Sequence, residues 1–260
     1  MIADVPLRRV VMLGASNLTL SAPTVIATAC EIWREPLDIL GAYGHGRSYG
    51  LQSFVLGRSL PSIVGCGLWN ALAKRPTAPT TALVTDIGND ILYGTTVAQI
   101  VEWVESCVNQ LQRQKARIVM TSLPAESLAG VGSWRFLLMR TLLFPASRLR
   151  LETALERVRE LNDQLRELSK SRGIVFVEQE SEWYGFDPIH IRRAQQPRAW
   201  SEILSGWSQP SQSVDPARIS LARTLYLISR RPERRRLFGI SQCHRQPAGR
   251  LGDGTTVAIF

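Results

Sequence analysis

Five short apolar runs punctuate the chain: Arg9–Leu13, Leu37–Ala42, Thr81–Thr85, Arg117–Thr121 and Gly173–Val177. Most are rich in Val and Ile and lack strict apolar–polar alternation, so they predict strands buried on both faces, as in a parallel sheet covered by helices. Between them the apolar spacing becomes helical. From Val97, the residues Ile100, Val101, Val104, Val108 and Leu111 form one stripe. Thr96 and Gln99 can form a capping box at its start. A second stripe runs through Leu151, Ala154, Leu155, Val158, Leu161, Leu165 and Leu168 and stops near Gly173, which can adopt a left-handed cap. Strands alternating with helices predict a doubly wound α/β fold.

Two segments fall outside this rhythm. Residues 130–150 carry an apolar stripe, Trp134 to Phe144, edged by Arg135, Arg140, Arg148 and Arg150. Such a stripe is core or dimer interface, or else a lid over an acyl pocket whose arginines make transient contact with an anionic membrane surface. Residues 208–260 are rich in Pro and Arg and end in an expected hairpin around Asp253 and Gly254. The expected organisation is therefore a main domain over 1–207 and a small basic extension over 208–260.

Composition is that of a folded protein, with 45% hydrophobic and 20% charged residues in a chain of 260. The formal net charge of +9 comes almost wholly from arginine. Basic runs of this kind are usually solvated, and no aromatic residues interleave them as in single-strand binders, so no nucleic acid is expected. The four cysteines, Cys30, Cys66, Cys107 and Cys243, show no paired spacing for zinc or a disulfide framework and read as free thiols in a reducing compartment. The N-terminal apolar run is too short for a secretion signal, and a cytoplasmic location is expected.

In an open α/β sheet, ligands bind beyond the carboxyl ends of the strands. The polar residues that follow the predicted strands are Gly14-Ala15-Ser16-Asn17, Gly44-His45-Gly46, Gly88-Asn89-Asp90 and Asp187-Pro188-Ile189-His190. Together they hold the parts of an acyl-transfer site. Ser16 is a nucleophile once a base takes its proton. His190 is such a base, because imidazole titrates near neutral pH. Asp187, three residues earlier, can reach Nδ1 of His190 and fix its tautomer. The backbone N–H groups of Ser16 and Gly44 and the Asn89 amide would supply an oxyanion hole.

These blocks resemble, in order, those of the SGNH (GDSL-like) hydrolases. Gly14-Ala15-Ser16 resembles the first block, Gly44 the second, Gly88-Asn89-Asp90 the third and Asp187-x-x-His190 the last. Gly44 is preferred to Gly46 because Gly50 follows six residues later. The resemblance spans roughly residues 8–205 and is most specific in its last block. It implies a flavodoxin-like three-layer α/β/α sandwich and a metal-free enzyme that hydrolyses esters, thioesters or acetylated sugars, or transfers acyl groups. The chain departs from the pattern at Ala15, where the family has Asp, and at Asn17, where it has Leu. Neither position supplies catalytic chemistry in the family. A second glycine of a G-x-S-x-G elbow is missing after Ser16, which argues against the α/β-hydrolase fold.

Expected substrate contacts are Asn17, Gly46, Arg192 and Trp134, with Arg192 and Arg193 attracting an anionic group and lowering the pKa of His190. The glycine spacing fits no dinucleotide loop, and His45 and His244 have no partner at ligand spacing, so neither cofactor nor metal is expected. The expected partner is a small ester or acyl substrate, and the sequence sets no oligomeric state. A second reading is a catalytically silent protein of the same fold, binding a partner or an anionic polymer through its arginine-rich C-terminal region. An intact set of Ser16, Asn89, Asp187 and His190 separates the two.

Overall fold

The computed structural model describes residues 8–55, 57–130, 132, 148–208 and 214–260. Its main sheet has seven strands. β1 (Arg8–Leu13) lies between β2 (Leu37–Ala42) and β5 (Thr80–Val84); β6 (Arg117–Thr121) and β7 (Val175–Val177) continue beyond β5. All of these pair in parallel, from Arg8 opposite Leu37 on one side to Thr121 opposite Val177 on the other. Taken in chain order, these five give the 2-1-3-4-5 arrangement of a flavodoxin-like sheet. The predicted strands are these five, with the last beginning at Val175 rather than Gly173.

Side chains alternate between the faces of the sheet. Val11, Leu13, Leu40, Ala82, Val84 and Met120 pack against α4 (Val97–Arg113) and α6 (Leu151–Arg172). Val10, Met12, Ile39, Leu83 and Val119 pack against α1 (Ser16–Trp33), α7 (Gln196–Ser205) and α8 (Leu221–Ile228). The result is a three-layer α/β/α sandwich with a core on each side of the sheet. Trp183, Trp200 and Trp207 anchor the second core, and Trp207 donates its indole N–H to the Ala82 carbonyl at 3.0 Å.

The helix ends follow the sequence in part. Thr96 caps α4 by accepting the Gln99 N–H at 3.3 Å, but the Gln99 amide turns to Glu102 at 2.6 Å, so only half of the capping box forms. Gly173 ends α6 at φ +65°, a conformation that glycine adopts without steric cost.

Residues of the segment expected as an extension, 208–260, pack into the core and the sheets. α8 packs into the second core. The hairpin around Asp253 and Gly254 forms from β10 (Gly249–Arg250) and β11 (Thr256–Ile259), and β11 enters the main sheet parallel to β2, with Thr256 opposite Asp38. A second, antiparallel sheet joins β3 (Ser53–Val55) and β4 (Arg58–Leu60) to β8 (Arg234–Leu237) and β9 (Ile240–Cys243). At the amino end of the main sheet, buried Arg9 donates to Asp38 at 3.0 Å, and Arg75 shares the same carboxylate at 3.2 Å.

Candidate functional site

The order of the sheet reverses at β1: the chain passes from β1 outward to β2, then back to β5 on the other side. The loops leaving the carboxyl ends of β1 and β5 therefore diverge and open a crevice. Ser16 sits there as the first residue of α1, half-buried, directly after Gly14 and Ala15. Gly14 is needed because a Cβ at that position would lie 2.8 Å from Thr85 Cγ2 on the loop after β5.

Asp86, the second residue after β5, holds the serine turn. Its Oδ2 accepts the backbone N–H groups of Ala15 and Leu18, both at 2.9 Å, and so caps α1 from across the crevice. Its Oδ1 accepts from the Asn17 amide at 3.0 Å. Asp86 adopts φ +57°, a left-handed conformation that non-glycine residues seldom take and that turns its carboxylate into this position. The sequence reading missed Asp86 because it began that block at Gly88. The signal was available: an acid immediately follows the strand beside β1, while the residue before Ser16 is Ala15.

Asn17, expected among the substrate contacts, is buried and its side chain is hydrogen-bonded within the protein. Besides Asp86, its amide donates to the Ile189 carbonyl at 2.7 Å, and its Oδ1 accepts the Ile191 N–H at 2.8 Å. Those two groups flank His190. The asparagine therefore ties the serine turn to the histidine loop.

Within that loop, Asp187 Oδ2 lies 2.6 Å from His190 Nδ1. Asp187 Oδ1 accepts the backbone N–H groups of Ile189 at 3.1 Å and His190 at 3.2 Å, which fixes the turn that lets the two side chains meet. Burial opposes protonation of His190, but the hydrogen bond and charge of Asp187, with a contribution from Asp86, outweigh it and hold the imidazole above its usual pKa. For Asp187, burial acts upward and is outweighed by His190, so its carboxyl lies below the usual range. Arg192 and Arg193 are not among the groups that set the pKa of His190. Ser16 Oγ and His190 are not hydrogen-bonded to each other; such contacts often tighten only with substrate.

Among the described residues, the N–H groups of Ser16 and Gly44 have no acceptor. Gly44 is buried beneath Leu60, whose Cδ1 would lie 2.2 Å from a Cβ there. The Asn89 amide donates to the Arg47 carbonyl at 3.3 Å and keeps its second hydrogen. Behind it, Asp90 is fully buried and accepts from the Ser48 hydroxyl and, at 2.9 Å, from the Tyr49 N–H. Burial pushes the Asp90 carboxyl up to about 6. These bonds join the loops after β2 and β5. A Cβ on Gly50 would lie 2.0 Å from the Trp103 ring, so that glycine lets α4 close against the loop.

The surroundings of the other expected substrate contacts are as follows. Gly46 lies at φ +64° with its carbonyl accepting from the Tyr93 hydroxyl at 2.8 Å and Val55 covering its α-carbon, which gives it a backbone role. Arg192 is exposed, but its guanidinium donates to the Glu182 carbonyl and its chain lies over Gly185. Trp134, and most of the 130–150 segment with it, lies outside the described residues. Among the described residues, no cluster of three or more His, Cys, Asp or Glu side chains could hold a metal ion, and no helix is long and apolar enough to cross a membrane.

No family model matches the sequence, and no curated protein matches it. Solved structures do. The chain is similar to a structure described as TesA, at 13% identity and TM-score 0.50, over 77% of this chain and 98% of that one. It is similar to an acetyl xylan esterase, at 10% identity and TM-score 0.50, over 75% and 98% of the two chains. A similar match is the aryl esterase of M. smegmatis, at 14% identity and TM-score 0.50, over 76% and 97%. What these chains share at such identities is the fold, and with the 2-1-3-4-5 sheet and the helices on both of its faces it is an SGNH hydrolase-like fold.

Proposed function

We propose that the protein is a serine hydrolase of esterase or thioesterase type, with Ser16 as nucleophile, His190 as base and Asp187 as the group that orients the histidine. The observation that carries this reading is the 2.6 Å Asp187–His190 contact, in a loop that Asn17 binds to the serine turn. A histidine held on one nitrogen by a carboxylate presents the other nitrogen as an acceptor. The esterase fold supports the same reading.

The reaction follows from these roles. Ser16 Oγ attacks the acyl carbon while its proton passes to His190 Nε2. Negative charge develops on the former carbonyl oxygen and is met by the unengaged N–H groups of Ser16 and Gly44 and by the remaining hydrogen of the Asn89 amide. The positive end of α1 adds to this field. Asp187 stabilises the imidazolium. His190 then protonates the leaving alcohol or thiol as the C–O or C–S bond breaks. Water, deprotonated by His190, attacks the acyl-serine and releases the acid.

Hydrolysis of a short nitrophenyl ester tests the proposal. Turnover by the wild type should fall by about 10³-fold or more in Ser16→Ala and in His190→Ala. Equal rates in all three proteins would end it.

A further inference from the structure

The β3–β4 hairpin roofs the oxyanion loop. Val55 Cγ2 lies 2.3 Å from the position of a Cβ on Gly46, and Leu60 Cδ1 stands in the same relation to Gly44. Val55 pairs with Arg58, and Arg58 precedes Leu60 by two residues, so all three belong to the same face of the hairpin. β8 extends that face: Leu237 pairs with Arg58, and Arg235 follows two positions back along the strand. Arg58 and Arg235 thus stand together on the face that covers the site.

Neither arginine has an acidic partner among the described residues. The Arg58 side chain makes no hydrogen bond or ion pair among the described residues, and the Nε of Arg235 donates to the uncharged Gln242 amide oxygen at 2.7 Å. Glu233, the nearest acid on that stretch of chain, turns to Gly67 instead. Every charged neighbour that acts on these groups is positive. Burial and Arg235 lower the pKa of Arg58, burial and Arg231 lower that of Arg235, and burial, Arg58 and His190 lower that of His45. Arg58, beside His45, and Arg235 therefore bring positive charge without an acidic partner from the histidine end of the site to β8.

We infer that the ester cleaved at Ser16 carries a phosphate group, held by Arg58 and Arg235. A phosphate dianion satisfies two adjacent guanidinium groups, each able to donate through a planar fork. The phosphate itself does not react; water still splits the acyl–oxygen bond, giving the free acid and the phosphorylated alcohol. This inference rests on the hydrolase reading and adds the substrate class.

The test compares acetylglycerol with acetylglycerol phosphate, two substrates that share the ester and differ in the phosphate. The wild type should favour the phosphorylated ester by about tenfold or more in kcat/KM at low salt, and the preference should shrink as ionic strength rises. Arg58→Gln and Arg235→Gln should each reduce the ratio about threefold or more, and the double variant should bring it close to one. Using two single variants guards against misfolding of either. A wild type that hydrolyses both esters equally, or a double variant that keeps the preference, overturns the inference and leaves the hydrolase reading intact. A wild type that cleaves neither ester and does not react with a fluorophosphonate overturns both.

Discussion

Asp86 and Asn17 are hydrogen-bonded at 3.0 Å, and through this pair the serine turn and the histidine loop are held by the same two side chains. Asp86 accepts two N–H groups of the serine turn, and Asn17 engages both backbone groups that flank His190. In the proposed mechanism, the placing of Ser16 relative to His190 thus rests on side chains other than the proposed nucleophile and base.

Asn17→Ala removes one hydrogen bond to Asp86 and two to the histidine loop. The expected outcome is a fall in kcat of about 10–100-fold with KM little changed, because small misplacements of catalytic groups cost rate. Asn17→Asp should be at least as damaging, since a second carboxylate would face Asp86 and neither donor hydrogen would remain. Steady-state kinetics on both variants check this; a change confined to KM would place Asn17 in substrate binding instead.

His190 acts as a base only when neutral, and its pKa is raised in the folded protein. Activity should therefore rise with pH through a value above the ordinary imidazole pKa of about 6.5. Asp187→Asn removes the partner that raises that value, so the rise should move to lower pH while the plateau drops by about 10²–10⁴-fold. Asp86→Asn should move it in the same direction by less. The pH dependence of kcat/KM is the measurement, and an unmoved rise in Asp187→Asn contradicts the assignment.

Stability should depend on the buried Arg9–Asp38 pair, which also holds Arg75. Asp38→Asn leaves the Arg9 guanidinium buried without its counter-charge, and breaking such a pair typically costs about 3–5 kcal/mol. Denaturant unfolding at neutral pH should show this loss. The same loss should be seen at every salt concentration, because buried pairs are little screened.

Removal of residues 208–260 should abolish folding rather than trim an appendage. Val257, Ile259 and Phe260 are buried at the edge of β2, and Leu227 lies in the core over α1. A soluble truncated protein with a cooperative unfolding transition would contradict this.

Much of the architecture was legible because the main strands are buried on both faces. Runs such as Leu37–Ala42 announce themselves without any long-range information. The proposed nucleophile Ser16 was legible because it follows β1 in a short polar loop, and Asp187 and His190 because an acid and a histidine three residues apart can meet in one turn. β3, β4, β8 and β9 were not: these strands are three or four residues long, and Arg234–Leu237 reads as a charged tail until its partners are known. β11 reads as part of a lone hairpin, since its pairing with β2 joins residues more than two hundred positions apart. Asn17 was read as a substrate contact and Asp86 went unassigned for a related reason. Each is an ordinary cap residue locally, and only the fold brings them together.

The most direct test of the account is covalent labelling by a fluorophosphonate, followed by mass spectrometry of the modified peptide. The account predicts one label, on Ser16, absent in Ser16→Ala and much slower in His190→Ala and Asp187→Asn. A folded wild type that is not labelled, or a label that persists in Ser16→Ala, would contradict it.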